Sequence, residues 1–189
     1  MKKSTILLVT VLVIFWSAVI IFFIYRSSYN KAISLQETVD ESWGNVAVSY
    51  KRRADLIPQL VATVKGAAKN EGDILKSVTQ ARAGIVNAKT PNDMELMGKK
   101  INTAINLAFE AYPQIRSTDN FSSFQKQLEG TENRINKARQ DYNESVKSYN
   151  IHIRGFFNSI FLNPVIFPKK QSFQVAEGSE VAPTVDFSK

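Results

Sequence analysis

The chain predicts an all-α fold: an antiparallel up-down-up-down four-helix bundle with an N-terminal transmembrane helix. Three observations carry this. Residues 6–25, ILLVTVLVIFWSAVIIFFIY, form an unbroken run of twenty without a charge. Two later stretches repeat large apolar residues every seven positions. Between Ser27 and Asn163 prolines fall only at 58, 91 and 113, so helix breakers occur only where turns are needed.

The first five residues are a short flank carrying Lys2 and Lys3. A twenty-residue helix spans roughly 30 Å, the thickness of a bilayer's hydrocarbon core. A secretory signal is the competing interpretation, but its apolar region is about 7–15 residues and ends at a small-residue cleavage site. This run is longer and exits through Phe22-Phe23-Ile24-Tyr25-Arg26. An uncleaved single-pass anchor in the cell membrane is therefore expected, with Tyr25 and Arg26 at the interface. Lys2 and Lys3 before the span nearly balance Arg26 and Lys31 after it, and the orientation adopted is N-in with the domain outside.

The bundle is expected over residues 27–163. Its first helix, residues 29–52, carries the stripe Tyr29, Ile33, Leu35, Val39, Trp43, Val46 and Tyr50. A second helix, residues 56–88, is expected to start at Asp55 as N-cap, with Pro58 in the first turn where its missing N–H costs nothing. Ile57, Val64, Glu71, Val78 and Ile85 recur every seven residues, interleaved with Leu60, Ala67, Ile74, Ala81 and Ala88. A third, residues 91–112, starts at Thr90-Pro91-Asn92-Asp93, an N-cap followed by proline at the first helical position. The fourth, residues 119–162, places Phe121, Leu128, Ile135, Tyr142, Tyr149 and Phe156 in strict seven-residue register. Residues 164–189 lose periodicity and read as an irregular tail.

Composition narrows the function. The chain has 24 Lys and Arg, 17 Asp and Glu, one His, no Cys and a formal net charge of +7. Without cysteine there are no disulfides or thiolate metal sites, and His152 alone makes a histidine metal centre or catalytic triad improbable. The positive charge is dispersed, which argues against nucleic acid and fits a solvated surface near anionic lipid. Neither a nucleophile–base pair nor a glycine-rich phosphate loop is present, so no enzyme activity, cofactor or metal is expected.

Several stretches in order resemble the LemA family of membrane-anchored bacterial proteins. They are Tyr29-Asn30, Trp43, Arg52-Arg53-Ala54-Asp55-Leu56-Ile57-Pro58-Gln59-Leu60-Val61, Val64-Lys65-Gly66, Glu71 and Ala111-Tyr112-Pro113. Glu129-Gly130-Thr131-Glu132-Asn133-Arg134-Ile135, Ala138-Arg139, Asp141-Tyr142-Asn143, Tyr149-Asn150 and Pro183-x-Val185-Asp186-Phe187 complete the set. The resemblance implies an antiparallel helical bundle with no established enzymatic activity. Phe156-Phe157 stands where the family has Phe-Pro, so the fourth helix is expected to run on past that point.

Three candidate sites follow. Glu71 is a carboxylate on a core position, which is costly unless paired. Counting from a common tip sets it level with Arg134, near Glu132 and Arg139, and an ion pair with Arg134 or Arg139 is expected. Arg52, Arg53 and Asp55 would sit at the membrane-distal tip, as a docking surface or simply as capping groups. Phe156, Phe157, Ile160, Phe161, Leu162, Val165, Ile166 and Phe167, followed by Lys169 and Lys170, would return to the membrane face and lie in the bilayer interface, or cap the core. The function expected is a non-enzymatic, membrane-anchored scaffold or adaptor that presents the bundle to a protein partner or the bilayer, with a homo-oligomer open. The alternatives are a regulatory subunit of a membrane protease or transport complex, and a hydrolase using a carboxylate–arginine cluster around Glu71.

Overall fold

The computed structural model describes residues 3–63, 71–111 and 119–174. Five helices occur among them: α1 (Lys3–Thr63), α2 (Glu71–Asn87), α3 (Pro91–Ala111), α4 (Asp119–Arg154) and the short α5 (Phe156–Phe161). The expected seam residues Val64 and Ala67, the stretch around Pro113, and residues 175–189 lie outside the described residues.

α1 is one helix of 61 residues. Its first part is long and apolar enough to cross a membrane. No breaker separates this part from the body, so the helix continues past Tyr25. It also continues where a turn was expected. The break placed between residues 52 and 56 is absent, and Pro58 lies inside the helix. Asp55 and Pro58 do make a helix-start signal, and an interior proline costs about 3 kcal/mol. Packing reverses that preference. Tyr50, Ala54 and Leu56 are buried on α1, and α4 supplies 36 residues that need a partner of matching length. At roughly 1.5–3 kcal/mol for each large apolar side chain buried, a few such contacts outweigh the proline.

α1 and α4 form the dominant pair, running antiparallel. The register is constant: Tyr25 meets Phe161, Ser28 meets Asn158, Trp43 meets Tyr142 and Arg53 meets Glu132. Steps up α1 match nearly equal steps back along α5 and α4. The shared core contains Val39, Val46, Tyr50, Ile135, Ala138, Tyr142, Val146 and Tyr149. The seven-residue series of α4 is half-buried at Leu128, buried at Ile135, Tyr142 and Tyr149, and ends there, since Phe156 is 77% exposed.

α2 and α3 form a second antiparallel hairpin that packs on α1. At its turn Thr90 and Asp93 make a reciprocal cap: Asp93 N–H donates to Thr90 Oγ1 at 3.2 Å, and Thr90 N–H donates to Asp93 Oδ2 at 3.1 Å. Hydrogen bonding to its carboxylate, from the Thr90 side chain first and then from the Lys89 N–H, holds Asp93 below its usual range. Met94, Met97, Ile101, Ala104 and Ile105 form the buried stripe of α3. Gly98 lets α3 approach α1, because a Cβ there would lie 2.6 Å from the Tyr50 ring. The ring of helices does not close. Among the described residues α3 and α4 make no close backbone approach, which leaves a cleft between them.

The fourth helix also ends earlier than expected. Gly155, with φ −57° and ψ 143°, interrupts it and starts α5. Asn163-Pro164 then turns the chain back. Asn163 Oδ1 accepts the Val165 N–H at 2.8 Å, and the residue before proline disfavours helix.

Candidate functional site

Residues 168–174 fold back along α4 without regular secondary structure. Two Tyr-Asn pairs on α4, one heptad apart, hold them. Tyr149 Oη donates to the Pro168 carbonyl at 3.1 Å, and Tyr142 Oη donates to the Gln171 carbonyl at 3.0 Å. Each asparagine grips one backbone residue at both ends. Asn150 donates to the Lys170 carbonyl at 2.9 Å and accepts the Lys170 N–H at 3.1 Å. Asn143 does the same for Phe173, at 3.0 and 2.8 Å. The spacing has a simple cause. Seven helical residues advance about 10.5 Å, and three extended residues advance about 10–11 Å. One Tyr-Asn unit per heptad therefore meets every third residue of an extended chain.

The clamp places Phe173 in the core, stacked on Trp43 at 6.1 Å and edge-on to Tyr142 at 5.4 Å. Burial pushes the phenols of Tyr142 and Tyr149 above their ordinary pKa of 10.0, with the nearby Asp40 charge adding to it. The native state thus holds these protons more tightly than the unfolded chain. Their contribution is complete below pH 10 and is lost as pH rises through the raised native values. Denaturant stability measured against pH should fall above about 10, and Tyr142→Phe with Tyr149→Phe should flatten that fall.

The segment ends at a cleft of about 840 Å³ between α3 and α4, floored by Tyr50 and Arg53 of α1. Arg139 bridges it, donating to Glu95 Oε1 at 2.6 Å while its guanidinium lies 4.7 Å from the centre of the Phe173 ring. Arg53 is ion-paired with Glu132 below. Burial raises the Tyr50 pKa; Arg139 opposes the shift, and Glu95 and Glu132 reinforce it. Asn92, Lys99, Asn102, Asn136 and Gln140 form the polar rim. No group of three or more His, Cys, Asp or Glu able to hold a metal occurs among the described residues. The arrangement offers hydrogen-bonding amides and paired charges, the chemistry of a peptide- or solute-binding surface.

The residues singled out from sequence are distributed differently from expectation. The Glu71 side chain lies outside the described residues, so its expected pairing does too. The helix start at residue 56 that set it level with Arg134 is absent, because α1 runs on through Thr63, and α2 is described from Glu71. Of the partners considered, Arg139 is with Glu95, Glu132 is with Arg53, and Arg134 is exposed. Arg52, Arg53 and Asp55 do not form a tip. They lie within α1, about two turns before its last described residue, and only Arg52 is exposed. The Tyr-Asn clamp and the cleft escaped sequence reasoning. Their signal was the heptad repeat of the Tyr-Asn dipeptide itself.

At the other end, α5 lies against the exit of the apolar run, with Phe161 6.0 Å from Tyr25. Phe156, Phe157, Ile160, Val165 and Ile166 are exposed, whereas Leu162 and Phe167 are buried and Phe161 is half-buried. Lys169 is exposed, but the Lys170 ammonium donates to Asp40 Oδ1 at 3.1 Å and is not free for headgroups. A polar lock fixes α5 to α1. Ser28 Oγ donates to Asn158 Oδ1 at 2.7 Å, and Asn158 Nδ2 donates to the His152 carbonyl at 2.8 Å. His152 Nε2 lies 3.0 Å from the Ser28 carbonyl, an acceptor, so the network assigns its proton to that nitrogen.

The chain is 22% identical over 162 residues to Protein LemA of Metamycoplasma hominis, covering 84% of this chain and 74% of that one. Residues 42–187, which take in α1 from residue 42 onward, the hairpin, the clamp and α5, match the LemA family. The chain therefore belongs to the LemA family.

Proposed function

We propose that this protein is a non-catalytic scaffold or adaptor, anchored by residues 6–25 and held upright by a second contact with the bilayer. The observation that carries this is the exposed apolar group Phe156, Phe157, Ile160, Val165 and Ile166 at the level of Tyr25. Side chains of this size gain roughly 1.5–3 kcal/mol each when fully removed from water. Placed beside the exit of a membrane helix, they have an apolar phase within reach. The rigid α1 then projects the α3–α4 cleft away from the membrane, where a protein partner can reach it.

Photo-crosslinking in intact cells tests the reading. A photoreactive residue at Phe157 should yield lipid adducts, and one at Asn102 on the cleft rim should yield a discrete protein adduct. A chain that gives neither, while present at normal level in the membrane fraction, would sink the scaffold reading.

A further inference from the structure

The clamp on α4 has a third unit that the described chain does not fill. Asn150 holds Lys170 and Asn143 holds Phe173. One heptad further back stands Asn136, which is exposed at the cleft and makes no side-chain hydrogen bond among the described residues. The described chain stops at Gln174, which itself lines the cleft. Fifteen residues follow it in the sequence.

We infer that the α3–α4 cleft is the docking groove for this chain's own C-terminal segment, with Asn136 gripping the backbone of Ala176. The step of three residues per heptad carries Lys170 to Phe173 and then to Ala176. The rise of about 10 Å per step matches both chains. The occupant is covalently tethered at the mouth of the groove, so its effective concentration is in the millimolar range (roughly, for a short linker) and exceeds that of any free peptide. Register also fixes how far the grip extends. The position before Asn136 in the series is Glu129, and a carboxylate has no N–H to donate, so the two-ended grip ends at Ala176. In the tyrosine series the corresponding residue is Ile135, which has no hydroxyl, so Asn136 alone holds this step. The next residue, Glu177, would bring a negative charge to a rim that carries Lys99. A protein partner that uses the cleft must displace this segment.

Amide hydrogen exchange on the full-length protein in detergent micelles, with selective alanine and lysine labelling, tests the inference without any partner. It therefore stands or falls separately from the scaffold reading. The Ala176 amide is expected to be protected at least about fivefold, as for a net hydrogen bond of ordinary strength. Asn136→Ala should remove that protection and leave the Lys170 amide unchanged. Asn136→Asp, which keeps an acceptor for the Ala176 N–H, should retain it. Free exchange at Ala176, or protection indifferent to Asn136→Ala, would overturn the inference. Protection that appears only as protein concentration rises would place a second copy's tail in the groove and would overturn it equally.

Discussion

Tyr149→Ala is expected to destabilise the protein by about 3–5 kcal/mol, the range for truncating a fully buried aromatic side chain. Tyr149 is 0% exposed and is the largest fully buried side chain among the described residues. Its ring fills the α1–α4 interface, and its hydroxyl holds the returning segment at Pro168. Two losses therefore coincide, a cavity in the core and one rung of the clamp. Tyr149→Phe separates them. It keeps the ring and should cost about 1 kcal/mol, the net worth of one hydrogen bond, because Pro168 is exposed and water can serve its carbonyl. Denaturant unfolding followed by Trp43 fluorescence in a Trp16→Phe background provides the reading, since the chain has two tryptophans. Near-equal costs for the two variants would show that the ring contributes little.

Glu132→Ala is expected to cost about 2–3 kcal/mol, because it leaves a charged group buried without its partner. The Arg53 side chain is 13% exposed, and its Nε is buried without a hydrogen-bond partner. Glu132 is 46% exposed, so its own desolvation is slight and most of the loss belongs to the stranded guanidinium. That gives a sharper expectation for the double variant. Arg53→Met with Glu132→Leu should recover most of the stability, since neither charge remains to be compensated. A double-mutant cycle with additive effects would contradict the coupling.

What could be read from the chain depended on the range over which each signal acts. The heptads of α4 and the Thr90-Pro91 start of α3 are local, and they mark buried positions and a capped end in the structure. The end of α1 is not local. Asp55 and Pro58 favour a helix start by propensity, and only the length of α4, sixty residues on, shows why the helix continues past them. Counting from that false start displaced Arg53 to a tip. The clamp was hidden for a different reason. Tyr142 and Tyr149 sit on the core seam, where packing suffices to explain a tyrosine, and their acceptors lie 29 and 19 residues away in an aperiodic segment. The apolar excess after Phe156 was legible as composition. Its division into exposed Phe157, Ile160 and Val165 against buried Leu162 and Phe167 required the Gly155 break.

An upright body on two membrane contacts is the central claim, and depth-dependent quenching tests it most directly. The chain lacks cysteine, so one can be placed at Ile160 and another at Lys137 in separate full-length proteins, labelled with an environment-sensitive fluorophore and reconstituted in vesicles carrying spin-labelled lipid. Quenching near the headgroup–acyl boundary at Ile160, with none at Lys137, is the expected result. A fluorophore at Ile160 that stays fully solvated and unquenched in the reconstituted protein would contradict the second contact and leave α1 as the sole attachment.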